Sequence, residues 1–522
     1  VARSKHKNRP QTGGRATADL YARGLALIEK NRLDDGIAAL EKALQQNPPP
    51  ERQAAILFAL ANTAQRLHLT HVSLGLFERS LAIEPTRIET IINYTNLLIE
   101  LERAEDAQSI LTRAAKEQPS APQLWLALGV AFHRIGDFHH CETFIKEALR
   151  LKPSYALANG ALANMLSDRG RLTSALEHYN MAVRAAPRDA RIRKNRGLLN
   201  LALGNLKDGW RDFEFRFKAN DRPIVANHGL RRWTGKRIAN RRLLVTAEQG
   251  LGDQTIFASF LPTLIEHVTQ SGGACMVECE ARLVDLFARS FPGAEIVSAS
   301  NEETQGVVLQ NYDWLSERGG ADLEIPLGSL GGLLRPTIDS FPTPHTYLTT
   351  DPVRTADWKS WRSSLPQRPV IGFCWRSSKL NTDRNKQFAA FHDWITLVRG
   401  IDANWVCLQH DATEDECAKL KSEVGERYVT PPDLDQTNDL DEVAALIAML
   451  DAVISAPTFV SALSPALGVE TQKIILDKSW TSLGQTREPH APAATLVAAA
   501  DHGGWAGALG VARANIEKAV AV

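Results

Sequence analysis

The stretch Thr246-Ala-Glu-Gln-Gly-Leu-Gly-Asp253 sets two carboxylates, Glu248 and Asp253, on either side of a Gly-x-Gly. Glycines at 250 and 252 permit a tight turn with positive φ and let backbone amides face a ligand. The apolar run Arg242-Leu-Leu-Val-Thr-Ala before the loop reads as a strand and Thr255 to His267 after it as a helix. The loop therefore opens a helix N-terminus, where negative charge is favoured, and Asp253 either caps that helix or projects into a cleft as a base. The pattern is not Gly-x-Gly-x-x-Gly and lacks the P-loop lysine. Metal chemistry finds less support. Cysteines 141, 275, 279, 374, 407 and 417 have no paired CxxC spacing, so neither a zinc site nor a disulfide framework is indicated, and a reducing cytoplasm is the expected setting. Asp433, Asp435, Asp439, Asp441 and Glu442 lack the glycine and terminal glutamate of a calcium loop and read as solvation and helix N-terminal charge.

The elements that must position these groups fall into two kinds. Prolines at 48, 85, 119, 153 and 187 recur at intervals of 37, 34, 34 and 34 residues, the period of a tetratricopeptide repeat (TPR). Trp125, Leu128, Gly129, Phe132, Cys141, Ile145, Ala148 and Pro153 occupy the repeat's signature positions in one copy. Small residues at positions 8 and 20 let the two helices cross closely, and the proline punctuates the unit. A sixth, atypical unit, with Gly197 and Gly209, ends in alternating aromatic and charged residues, as a cap meeting another domain would. Asn62, Asn96 and Asn164 recur at position 9, with Phe58, Ile92 and Leu126 at position 5. An asparagine amide pairs with a peptide's N–H and C=O together, so this row and its apolar neighbours predict a groove that binds a segment of another protein.

After residue 222 strands and helices alternate, which predicts parallel sheets wound with helices. Strand runs at Ala274 to Glu278 and Ala294 to Ser298 belong to a first half. Runs at Pro369 to Trp375, Trp405 to Gln409 and Ala452 to Ser455 belong to a second, with a proline-rich connection, Pro336 to Pro369, between them. The expected organisation is a disordered basic tail at 1–16, a TPR solenoid with its capping unit at 17–222, one doubly wound half at 223–345 and another, with a terminal helix, at 346–522. Ligands in such sheets bind outside the carboxyl ends of the strands. Sixty basic and sixty acidic residues cancel, which argues against nucleic acid as the main partner. No apolar run approaches the ~20 residues that span a bilayer, and the start has no signal-peptide core.

Gly209-Trp210, Phe213, Arg216, Trp233, Gly235 and Leu243 to Asp253, with Gly372-Phe-Cys-Trp375-Arg376, Arg384, Leu408-Gln409 and Asp439 to Ser455, resemble the bacterial TPR-linked glycosyltransferases. These are related to heptosyltransferases and to protein O-GlcNAc transferase. The resemblance implies a GT-B module of two Rossmann-like halves, an acceptor side followed by a nucleotide-sugar side. It implies that Asp253 deprotonates the acceptor hydroxyl, with Glu248 as an accessory carboxylate and Gly250 and Gly252 facing the ligand. Without a metal, the charge of a nucleotide leaving group must be met by cations and hydroxyls, which implies donor contacts from Arg376, Ser377, Arg384, Gln409, Thr458 and Ser461. Where the family reads histidine and glycine, this chain has Ala462 and Pro465. That segment, with Trp480-Thr-Ser-Leu-Gly-Gln, is similar to TPR flagellin glycosyltransferases, which transfer nonulosonic acids such as pseudaminic acid from CMP donors to Ser or Thr of flagellin. The other reading is a TPR adaptor or secretion chaperone whose GT-B module has lost catalysis.

Overall fold

The computed structural model describes residues 12–219, 224–304, 307–342, 346–378 and 387–520. The expected basic tail lies outside these as far as residue 11, and helix begins at Thr12 rather than after 16. Two compact units divide at Met165/Leu166.

The first unit is a stack of antiparallel helix pairs: α1 (Thr12–Glu29) with α2 (Leu33–Gln45), α3 (Pro50–Arg66) with α4 (Thr70–Ile83), α5 (Ile88–Glu100) with α6 (Ala104–Glu117), and α7 (Pro122–Arg134) with α8 (Phe138–Leu151). The helices that precede Pro48, Pro85, Pro119 and Pro153 end two or three residues before those prolines, consistent with a ring that cannot continue the helix. Gly129 shows why position 8 is small. A methyl group there would lie 2.6 Å from Ile145 Cγ1, so only glycine lets α7 and α8 cross at this spacing.

The second unit begins within α9 (Ala156–Asp168) and continues through α10 (Leu172–Ala185), α11 (Ala190–Ala202) and the short α12 (Leu206–Phe213) into the α/β region. Trp210 and Phe213 of α12 are buried in one apolar core with Phe257, Phe260, Leu330 and Leu483. Trp210 Nε1 donates to Arg335 O at 3.1 Å, and Phe213 stacks on Trp480 with centroids 5.8 Å apart. Asp212, fully buried, accepts from Arg196 Nε at 2.7 Å and Arg193 Nε at 3.0 Å. The capping helix thus shares its core with the sheets that follow.

Among the described residues fourteen strands follow in chain order: β1 (Ile224–Ala226), β2 (Arg231–Arg232), β3 (Arg242–Thr246), β4 (Ala274–Cys279), β5 (Ala294–Ser298), β6 (Asn301–Thr304), β7 (Val307–Gln310), β8 (Leu323–Pro326), β9 (Val370–Cys374), β10 (Asn404–Cys407), β11 (Tyr428–Val429), β12 (Ala452–Ser455), β13 (Thr471–Ile475) and β14 (Ala494–Ala498). A five-stranded parallel sheet has the order β2-β8-β3-β4-β5 and a six-stranded parallel sheet β11-β10-β9-β12-β13-β14, while β1-β7-β6 forms a small mixed sheet. In each large sheet the winding reverses at one place, between β3 and β8 and between β9 and β12. Outside the carboxyl ends at such a reversal a crevice opens.

The proline-rich connection holds a helix, Pro352–Ser363, capped by Asp351. Its Arg354 and Trp358 bond Asp439 and Glu442, so this part of the acidic run forms ion pairs and N-terminal caps. Among the described residues no cluster of His, Cys, Asp and Glu could hold a metal, and no helix is long and apolar enough to cross a membrane.

Candidate functional site

At the first reversal, register pairs Val245 with Ile325 and Thr246 with Pro326, and the chain leaves β3 into the loop that carries Glu248 and Asp253. The Ala247 N–H donates to Glu278 Oε2 at 3.0 Å, and Tyr312 Oη donates to the same oxygen at 3.0 Å. Burial nevertheless pushes the Glu278 carboxyl above its ordinary range. The left-handed residue of the loop is Gln249, with φ of 63°, and neither glycine takes a positive φ. Gly250 is extended at φ −89° and ψ 173°, and Gly252 lies in the helix Leu251–Ala258. A methyl on Gly252 would come 3.8 Å from Phe459 Cα, and one on Gly250 would come 4.0 Å from Asp253 Oδ2. Neither backbone shape nor packing demands glycine here. Of the two, Gly252 is the one that faces the start of the helix Phe459–Ala466. Asp253, in the first turn of its helix, is half-buried. The expected single helix from 255 to 267 is two, Leu251–Ala258 and Leu261–Gln270, with Pro262 in the first turn of the second.

Glu248 is not an available base. Arg216 Nη2 donates to its Oε1 at 2.6 Å and Arg216 Nε to its Oε2 at 2.7 Å, and the Gly328 N–H donates to Oε1 at 2.6 Å. Both side chains are under one-tenth exposed. Burial alone would lower the Arg216 pKa, yet the bonds to Glu248 outweigh it and raise it. The ring centroids of Phe213 and Phe217 lie 4.4 and 4.1 Å from the guanidinium carbon, cation–π contacts that help hold the pair in place. Glu248 therefore anchors the loop to the end of the capping unit.

At the second reversal, Ser455 pairs with Cys374 in register. Arg376, expected to meet phosphate, has its charge met within the protein: Nη1 donates to Asp411 Oδ2 at 2.8 Å and Nη2 to Glu416 Oε2 at 3.0 Å. Burial works to lower its pKa, and the two carboxylates reverse that. Gln409 is buried and turned inward. Its Oε1 accepts from the Trp375 and Arg376 N–H groups at 3.1 and 3.0 Å, and its Nε2 donates to Asp411 Oδ1 at 2.6 Å. Ser461 is fully buried and closes a local cap, accepting the Thr458 N–H at 3.1 Å and donating to Thr458 O at 2.8 Å. Thr458 Oγ1 lies 3.1 Å from Ser455 Oγ and donates to Cys374 Sγ at 3.5 Å. Burial pushes that thiol up to about 11. Ser377 is half-buried beside this crevice, and Arg384 lies outside the described residues. Of the expected donor contacts, Thr458 stands at the crevice mouth beside Gly252, while Arg376, Gln409 and Ser461 hold its walls together. Sequence reasoning missed Asp411 and Glu416, whose position just past β10 was the available signal.

In the solenoid, Asn96 is exposed and Asn164 half-buried, while Asn62 accepts from Asn93 Nδ2 at 2.8 Å, a residue outside the row, so that carbonyl is already engaged within the solenoid. The apolar row is largely taken up in packing between repeats. Phe58 sits 6.2 Å from Phe77, Ile92 packs on the α5–α7 core, and Leu126 is buried.

Together these features define a tetratricopeptide-repeat solenoid followed by a parallel-sheet α/β region with two facing crevices. Tetratricopeptide repeat models match residues 15–177 and 161–209. The chain is 32% identical over 458 residues to Protein FlbA of Caulobacter vibrioides, covering 86% of this chain and 76% of that protein, and it belongs to the FlbA family. Solved structures similar to its repeats include a thermophilic TPR protein of Thermus thermophilus (25% identity, 35% of this chain, 97% of that chain, TM-score 0.31). PilF of Pseudomonas aeruginosa is another (18% identity, 39% of this chain, 90% of that chain, TM-score 0.32).

Proposed function

We propose that this protein is a metal-independent glycosyltransferase of GT-B architecture. Its solenoid recruits an acceptor protein, and its α/β region transfers a sugar from a nucleotide donor to Ser or Thr. The donor class is a CMP-activated nonulosonic acid such as pseudaminic acid, and the acceptor is flagellin. The observation that carries this reading is the meeting of the two reversal crevices, where a methyl group added to Gly252 would lie 3.8 Å from Phe459 Cα and 3.9 Å from Thr458 O. A donor bound at the second crevice presents its anomeric carbon to a hydroxyl lying against the first. The hydroxyl oxygen bonds to that carbon, the bond from carbon to phosphate oxygen breaks, and the nucleotide leaves with the electron pair. Asp253 takes the hydroxyl proton. Glu248 and Arg216 hold the loop that carries it.

The test titrates CMP, UDP, GDP and ADP against the purified protein without metal, then compares sugar transfer by wild type and Asp253→Asn. Selective CMP binding with a loss of roughly 10²-fold or more in transfer supports the reading. Equal transfer by both proteins removes Asp253 from the chemistry. The internal neutralisation of Arg376 by Asp411 and Glu416 favours a second reading, an adaptor or secretion chaperone with an inactive module. Acceptor binding with no nucleotide bound would establish that one instead.

A further inference from the structure

A cavity of about 510 Å³ opens at the reversal between β3 and β8, with Glu248 and Gln249 of the Glu248–Asp253 loop in its lining. Thr246 to Gln249 and Gln254 form one wall, and Ile224, Ala226, Val308 and Gln310 of the small sheet form another. Three carboxylates line it: Glu248 and Glu280, just past the carboxyl ends of β3 and β4, and Glu324, within β8. The first two are satisfied, Glu248 by Arg216 and Gly328 and Glu280 by the Arg282 backbone and guanidinium. Glu324 is not. It is 8% exposed, its Oε1 lies 3.1 Å from Arg232 Nε, and its Oε2 has no partner among the described residues. A carboxylate so placed loses hydration that its single ion pair only partly replaces, and burial holds its pKa above the ordinary range. Around it the cavity presents the amides of Gln310 and Asn301, so acceptor oxygens outnumber fixed cations.

We propose that this cavity binds a lysine or arginine side chain of the acceptor polypeptide, its cationic head bonded to Glu324 Oε2. The loop that forms the cavity wall also carries Asp253, so a polypeptide seated here presents to that carboxylate a hydroxyl a few residues away along its chain. Transfer then selects Ser or Thr near a basic residue. The volume admits the long aliphatic stem, and the apolar wall of Ile224, Ala226 and Val308 packs against it.

This inference rests on the transferase reading for its purpose but is tested by binding alone. The full chain is titrated with acetyl-Ala-Lys-Ser-amide and with the same peptide carrying norleucine, which keeps the stem and removes the charge. Wild type is expected to prefer the lysine peptide by about tenfold, as a charge-assisted hydrogen bond implies. Glu324→Gln, with its circular dichroism and melting temperature compared with wild type, is expected to erase the preference. Equal affinity for the two peptides in wild type overturns the proposal without recourse to any variant, and so does a preference that survives Glu324→Gln. Lysine preference without sugar transfer leaves the cavity assignment standing and removes the transferase reading.

Discussion

At the scale of the residue, the crevices are held by charges that the protein satisfies for itself, and each satisfaction has a measurable consequence. Arg216 and Glu248 are both under one-tenth exposed, so removing one partner strands the other charge away from water. Arg216→Met is expected to cost about 3–5 kcal/mol, whereas Arg216→Met with Glu248→Gln recovers much of it. Denaturant midpoints for the three proteins decide the matter. Glu278 behaves oppositely, because burial raises its pKa despite the bonds from Ala247 and Tyr312. The native state then binds the proton more tightly than the unfolded chain, whose glutamate titrates near about 4.3. Ionisation at neutral pH therefore destabilises the fold, and the penalty is relieved as pH falls through the folded pKa towards the unfolded one. Glu278→Gln keeps both bonds, since each goes to one oxygen. It is expected to be more stable than wild type at pH 7 to 8, with the difference vanishing as pH falls towards about 4.3; a constant difference across that window contradicts the assignment.

Elements set the tolerances within which those residues meet. In the solenoid the crossing of α7 and α8 depends on Gly129, where an added methyl would press on Ile145. Gly129→Ala is expected to destabilise by about 1–3 kcal/mol, and Ile145→Val beside it to return part of that loss. A melting series over the two single variants and the double would reveal the coupling. This part of the fold was legible in the sequence, because each repeat writes its close contacts as small residues at a fixed period. Strands β3, β4, β5, β9, β10 and β12 were legible too, as short apolar runs. Strand β13 was not. It buries Gln472 and Lys473, and the lysine is matched by Glu488 at 2.6 Å from a segment fifteen residues on, so no apolar run marks it. Strand β8 hides for the same reason behind Glu324. The Gly-x-Gly loop announced the candidate site, but its internal partners did not. Arg216 with Glu248, and Arg376 with Asp411, lie more than thirty residues apart, and only the folded sheets bring them together.

For the whole molecule, the consequence of α12 concerns where the chain can be cut. The change of pattern near residue 222 invites a break there, between repeats and sheets. The second compact unit instead starts in α9 and uses Trp210 and Phe213 as core residues of the α/β region, with Arg216 anchoring the catalytic-loop candidate. Burying each of these aromatic rings contributes about 1.5–3 kcal/mol, and losing Arg216 leaves Glu248 buried without its cation. Their summed loss is comparable to the net stability of a typical domain. A fragment beginning at Pro223 is therefore expected to be insoluble or to melt without a cooperative transition. One beginning at Arg171 retains α10 to α12 and is expected to unfold cooperatively. If the solenoid's role is recruitment, the Arg171 fragment also binds nucleotide as the full chain does while losing affinity for the acceptor protein. Calorimetric melting and nucleotide titration of the two fragments test both halves of the argument. A well-folded Pro223 fragment would show that the capping helix is dispensable to the sheets it packs against.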